Sequence, residues 1–480
     1  MNCASRFLPH LTEHREYLAL WTLGDGVISF AELGALAAHA QSVARAEGLE
    51  RGDPVVLAAP PSAALFASVL AFVGLGMPVV FLEPWMPIAD VDQVIRSVRP
   101  KAFVASALGR LWGLRVRAVR EIPHWLPVGR LARGSAGREF RAVDVDPASP
   151  AVITFTSGTT GSPKGVIRSH RHMWDLHDIL TGGPRRGPLD RPDLCVLPNL
   201  ALLHISTGRG SVLVPHDWSD RGLRAIRALP DAIQPATLSC GPAFLRRLLQ
   251  FTEGAPGFRT LQSIYVGGAL SDCAILERAF ERWPNTRFTH VYGGTEAEPV
   301  AHSDARESVA RSRARGLFQV LHVGGPIPGL RARCAPEGLW VNGPNVGEHF
   351  QRDGEEARGL QYVDDEGRRW HCMGDRIIHD QDGWWFGGRA SQPKEDFDLE
   401  QRVYAFLGTS KCFVHRERDG RLILFGEKMR RRIRAAGASR FEQLFPELSH
   451  ARDLRIVRDR RHRARIDRPR SLARGGRRDV

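Results

Sequence analysis

The chain has little of what would tie it to the outside of a cell or to a metal through cysteine. Its seven cysteines (Cys3, Cys195, Cys240, Cys273, Cys334, Cys372 and Cys412) are scattered over 480 residues and odd in number. None pairs as CxxC, so neither a disulfide framework nor a cysteine-based zinc site is expected, and a reducing cytoplasm fits best. The opening MNCASRFLPHLTEHREYL has no apolar core of signal-peptide type. Long apolar runs are missing too. Leu65 to Leu82 is interrupted by Gly74, Gly76 and Pro78, short of the about 20 uninterrupted apolar residues of a membrane span, and reads as a buried helix running into a strand. The phosphate-binding pattern GxxxxGK[ST] is absent as well.

Excess charge of one sign is present, but it is local. Of the net +14, residues 451–480 supply +8 through twelve Arg against four Asp, so the rest of the chain is only mildly basic. Such a run reads as a solvated face or a loose tail. No nucleic-acid motif or aromatic-interleaved basic patch accompanies it, and no nucleic-acid partner is expected.

Length favours one large domain plus a small one. Phe30 to Gly48 carries apolar residues at helical spacing and ends on Gly, as an amphipathic helix does. Pro54 to Ala59 reads as a buried strand, Pro60 to Phe72 as helix, and Met77 to Leu82 as another strand. This alternation predicts an α/β domain with a largely parallel sheet. After Gly324, short strands and turns such as GLWVNGP and GWWFGGR predict a smaller β-rich subdomain. Past Arg389, one helix (Leu399 to Leu407) and one strand (Arg421 to Phe425) stand out, which places a boundary at about 388–391 and gives domains 1–388 and 389–480.

The most specific local signal is TSGTTGSPKG, from Thr156 to Gly165, directly after the strand-like Ala151 to Phe155. Small residues at Ser157, Gly158, Thr159, Thr160 and Gly161 let backbone N–H groups turn inward around an anion, while Lys164 adds a point charge. Further along come YVGGA at Tyr265 to Ala269, with Gly267 and Gly268, and HVYGGTEAEPVA, with Tyr292, Gly293, Gly294, Thr295 and Glu296. WHCMGD contains Asp375, and GWWFGGR ends on Arg389.

In this order the motifs resemble those of the adenylate-forming (AMP-binding) enzymes, which include acyl-CoA synthetases, nonribosomal peptide adenylation domains and luciferases. The resemblance covers most of the chain. It implies a large N-terminal domain of stacked αβ subdomains with a β-rich subdomain, followed by a small mobile α+β domain. It also implies ATP and Mg²⁺ as cofactors and a carboxylic acid as substrate. Thr156 to Lys164 would hold the phosphates, and Gly267, Gly268, Ala269, Tyr292 and Gly293 would line the adenine. Thr295 would bind a phosphate oxygen and Glu296 the metal, and Asp375 with Arg389 would hold the ribose. In PNLALLHISTG, His204 would stand near the carboxylate with Gly294, while Leu200, Leu202, Leu203 and Ile205 suggest a lipid-like acid.

YGGTEAEPVA, WHCMGDRIIHDQDGWWFGGRAS and DRRHRARI are similar to segments of one branch, the olefin β-lactone synthetases, which implies a β-hydroxy fatty acid whose own hydroxyl displaces AMP. Two departures matter. The hinge after Arg389, ASQPKEDFDLEQ, has no glycine, which makes CoA a poor expectation as acceptor. Arg465 stands where the branch has its adenylation lysine, and a planar guanidinium does not reproduce an ammonium. A non-catalytic nucleotide- or acyl-binding protein therefore stays open as the alternative.

Overall fold

The computed structural model describes residues 1–82, 86–132, 139–156, 164–182, 191–254, 257–350, 361–458 and 466–475. Two large sheets dominate. The first has seven strands in the order 348–350, 164–169, 150–156, 79–82, 55–58, 102–105, 124–127, and is parallel from the third onward. The second has eleven, running from 26–29 through a parallel centre (18–22, 211–213, 193–195, 237–240, 263–267, 287–294) to antiparallel strands ending at 383–389 and 375–380.

Local chemistry explains the helices that cover them. Phe30–Ala46 begins on a capping box in which the Ser29 hydroxyl accepts from Glu32 N–H and the Glu32 carboxylate accepts from Ser29 N–H. Its face of Phe30, Leu33, Ala37, Ala40 and Ala44 is buried. The following helix, Ala63–Gly74, is apolar all round and therefore sits in the interior against it.

Two expectations are corrected here. GWWFGGR does not join the small β subdomain. Gly383–Arg389 pairs with Asp375–Asp380 and with His322–Pro326, extending the large sheet, whereas Gly338–Asn342 belongs to a separate four-stranded sheet. The described part of the basic tail is not a loose segment either. Arg468 donates to the buried Glu400 carboxylate at 2.8 Å, Ser471 is fully buried, and Leu472 packs against a cluster containing Phe413 and Ile423.

Beyond Arg389, helix Lys394–Leu407 packs on a three-stranded sheet (412–416, 422–426, 448–453) with its own apolar core. Gln401 donates to Gln319 at 3.1 Å and Ser410 to Asp272 at 2.9 Å, joining this part to the rest. Among the described residues, no helix is long and apolar enough to cross a membrane.

Three buried histidines predict how the fold responds to acid. Burial lowers His170, His172 and His290 to about 4 each, and Cys3 N–H donates to His170 Nδ1 at 3.2 Å, an acceptor that protonation removes. Each group is neutral in the fold but charges in the unfolded chain below about pH 6.5. Their stabilising effect is therefore complete above that pH and is lost as pH falls toward about 4. Urea unfolding is expected to show a loss on the order of a few kcal/mol across this window. A midpoint constant from about pH 7 to about pH 4.5 would contradict it.

Candidate active site

The segment Pro198–Ser206 is helical, started by Pro at its first turn. Helical periodicity then divides its residues. Pro198, Asn199, Leu202, Leu203 and Ser206, together with Leu200, line a cavity of about 690 Å³. His204 and Ile205 point the other way. His204 Nδ1 lies 3.0 Å from the Ser211 hydroxyl and 3.8 Å from the Asp193 carboxylate, inside the core. The expectation that His204 stands at the substrate carboxylate is thus corrected, because three or four residues per turn put it on the face opposite Leu202. Ile205 is likewise core, while Leu200, Leu202 and Leu203 do line the cavity.

Most of the remaining wall is apolar: Leu65, Phe66, Val69, Leu70 and Val73 from one helix, Met173, Leu176 and Ile179 from another, and Phe7 near the N-terminus. Polar side chains also line it, among them Thr154, Arg168, His172, Tyr265, Thr295, Glu298 and Asn345. Arg168 donates to the Thr154 hydroxyl at 2.8 Å and to the Thr295 carbonyl at 2.7 Å, bridging the two large sheets. Burial, with Arg168 adding repulsion, is what holds the neighbouring His172 neutral. Neither residue was anticipated from the sequence. The available signal was a charged residue inside the otherwise apolar strand GVIRS.

Thr295 and Glu296 follow the strand Arg287–Gly294, beside Ser263–Gly267. Glycine is required where these strands end. A Cβ on Gly267 would lie 2.7 Å from the Val291 carbonyl, and one on Gly293 2.9 Å from the Ala297 carbonyl. Gly268 has φ +79°, a conformation side chains disfavour, and Ala269 follows it, half-buried. Without side chains at these glycine positions the strand ends pack closely on their neighbours. Gly294 lies against Glu296, whose carboxylate oxygen would be 3.4 Å from an added Cβ there, and the Glu296 carbonyl accepts from Gly347 N–H at 2.8 Å.

Asp375, only 5% exposed, accepts from the Tyr292 hydroxyl at 2.8 Å and pairs with Arg389 at 2.8 Å. Asp375 and Arg389 face each other across one hairpin, and Arg389 also donates to the Met373 carbonyl at 3.0 Å. Tyr292, Asp375 and Arg389 are thus brought together, although they are far apart in sequence. Thr156 and Lys164 are paired across adjacent strands. Ser157, Gly158, Thr159, Thr160, Gly161 and Arg465 lie outside the described residues.

Residues 9–346 match the family model described as AMP-binding enzyme. Phenyloxazoline synthase MbtB of Mycobacterium tuberculosis is 26% identical over 386 residues, covering 76% of this chain and 26% of that protein, so the chain spans about a quarter of its length. Olefin beta-lactone synthetase of Xanthomonas campestris pv. campestris is 27% identical over 411 residues, covering 77% of this chain and 73% of the relative. The fold is like that of ATP-bound MatB from Rhodopseudomonas palustris, with TM-score 0.78 and 20% identity over 100% of this chain and 99% of the other. With more than two thirds of its residues matched by the family model, the chain belongs to the AMP-binding enzyme family.

Proposed function

We propose that the chain activates a carboxylic acid of fatty or β-hydroxy fatty type with ATP, giving an acyl-adenylate and pyrophosphate. The observation that supports this most strongly is the meeting of two environments. A mainly apolar cavity of about 690 Å³ has Thr295 in its wall, next to Glu296 and the glycine-rich strand ends. A hydrocarbon chain in the cavity delivers its carboxylate to that part of the wall, where Arg168 keeps the Thr295 turn in place.

The adenine lies along Gly267, Gly268 and Ala269 near Tyr292, and the ribose hydroxyls donate to the acceptor oxygens of Asp375 beside Arg389. Glu296 offers the hard oxygen that Mg²⁺ takes, and the ion would supply charge neutralisation to the phosphates. A carboxylate oxygen attacks the α-phosphorus and pyrophosphate leaves. In a β-hydroxy acid the hydroxyl oxygen then attacks its own carbonyl carbon, losing its proton as AMP departs, and a β-lactone closes. The glycine-free hinge and the relative named olefin beta-lactone synthetase favour this acceptor over CoA. The scattered, odd-numbered cysteines fit a reducing, cytoplasmic setting. A second reading, a nucleotide- and acyl-binding relative with little turnover, is favoured by Arg465 at the lysine position.

Pyrophosphate release over a panel of plain and β-hydroxy acids tests the proposal. Lys164→Ala and Glu296→Ala are each expected to lower it by about 10²- to 10³-fold, since the first would remove a cation for the phosphates and the second an oxygen ligand for Mg²⁺. Unchanged release in both variants would contradict the site.

A further inference from the structure

The N-terminal segment HLTEH folds into the short helix His10–Glu13, with His14 as its C-cap. Residues three and four apart share a helical face, so His10, Glu13 and His14 point the same way. Their imidazole nitrogens and carboxylate oxygen all lie within 4.8 Å of one another.

His10 is oriented by its surroundings. Its Nε2 lies 3.2 Å from the Ser206 carbonyl oxygen, which can only accept, so Nε2 carries the proton and Nδ1 presents a lone pair. That lone pair faces His14 Nδ1 at 3.2 Å. A histidine whose second nitrogen donates to a backbone carbonyl is the usual arrangement around a bound metal. Two nitrogens at about 2.0–2.1 Å from a tetrahedral zinc are about 3.3 Å apart, so the separation of the pair matches and each ring needs only to turn its lone pair toward a shared ion.

The opposing backbone leaves the space for this. Gly208, at φ +74°, sits against the pair, and a Cβ there would be 2.5 Å from His14 Nδ1 and 2.7 Å from His10 Nδ1.

We propose that His10, Glu13 and His14 bind a zinc ion through the two Nδ1 atoms and a Glu13 carboxylate oxygen, with water completing the set. Without zinc, His14 Nδ1–H donates to His10 Nδ1. On binding, that proton moves to His14 Nε2, so both lone pairs face the ion and the net protonation is unchanged. Glu13 offsets part of the charge. The ion fastens the first helix to the end of the cavity-wall helix, since Ser206 lines the cavity, as do Cys3, Ala4, Arg6 and Phe7 just upstream. The site is separate from the proposed nucleotide site and does not depend on the proposed reaction.

The test is calorimetric titration of the full, untagged, chelator-stripped protein with Zn²⁺, with Co²⁺ as a visible-absorption probe. The expected result is a single saturable site and a higher melting temperature with zinc. His10→Ala and His14→Ala abolish binding, and Glu13→Gln weakens it by at least about tenfold. Glu13 is exposed, so Glu13→Gln decides the matter if a histidine variant fails to fold. Absence of saturable binding in the wild-type chain means that the two rings share only a hydrogen bond and overturns the proposal. Binding that is unchanged in the folded variants also overturns it.

Discussion

Replacing Asp375 by Ala is expected to raise the KM for ATP by about 10- to 100-fold while leaving the KM for the acid nearly unchanged. The carboxylate is the acceptor at the centre of Tyr292 and Arg389. A hydrogen bond to a charged group contributes about 1.5–3 kcal/mol, so losing a single ribose contact accounts for an effect of this size. Removal also leaves the Arg389 guanidinium without its carboxylate and loosens the hairpin in which residues 375 and 389 are paired. Asp375→Asn keeps one acceptor oxygen and should fall between the two. Steady-state kinetics with each substrate saturating in turn separate the effects. Equal increases in both KM values, or none, would remove Asp375 from the nucleotide site.

Filling the cavity should change which acids are accepted and spare the chemistry. Leu203 lines the cavity from the helix Pro198–Ser206 and is half-buried. Leu203→Trp inserts a ring into the space a hydrocarbon chain would fill. Each methylene in such a pocket is worth about 1–3 kcal/mol of discrimination. The variant is therefore expected to lose about 10- to 200-fold in kcat/KM for long-chain acids while short-chain acids keep most of theirs. The ATP dependence should not move. A loss that is uniform over chain length would mean that the acyl chain lies elsewhere.

Much of this arrangement was legible because it is local. The apolar spacing and closing glycine announce the helix Phe30–Ala46, whose start the Ser29–Glu32 capping box fixes in the structure. The glycines at 267 and 268 announce a turn, and the structure adds the close backbone approaches at 267 and 293. His204 was misplaced because the cavity segment is a helix, whose faces alternate every few residues, and position alone does not say which face a residue takes. Arg168 escaped notice for a different reason. Its partners are Thr154, on the neighbouring strand, and Thr295, in a turn of the other large sheet, and no spacing in the chain encodes that meeting. The pairing of Asp375 with Arg389 depends on hairpin register, whereas the family resemblance implied only that both contact the ribose. The docking of Arg468 on buried Glu400 was hidden by a composition that reads as solvated.

The central claim is that the acid's own carboxylate attacks the α-phosphorus of ATP, and isotope transfer tests it most directly. A β-hydroxy acid labelled with ¹⁸O in both carboxylate positions is incubated with the protein, Mg²⁺ and ATP, and the nucleotide product is examined by mass spectrometry. Attack places a labelled oxygen between carbonyl carbon and phosphorus, and acyl transfer to the hydroxyl leaves that oxygen on AMP. The account predicts AMP carrying a single ¹⁸O, formed together with pyrophosphate and only when the acid is present. Unlabelled AMP, or ADP with inorganic phosphate, would contradict it.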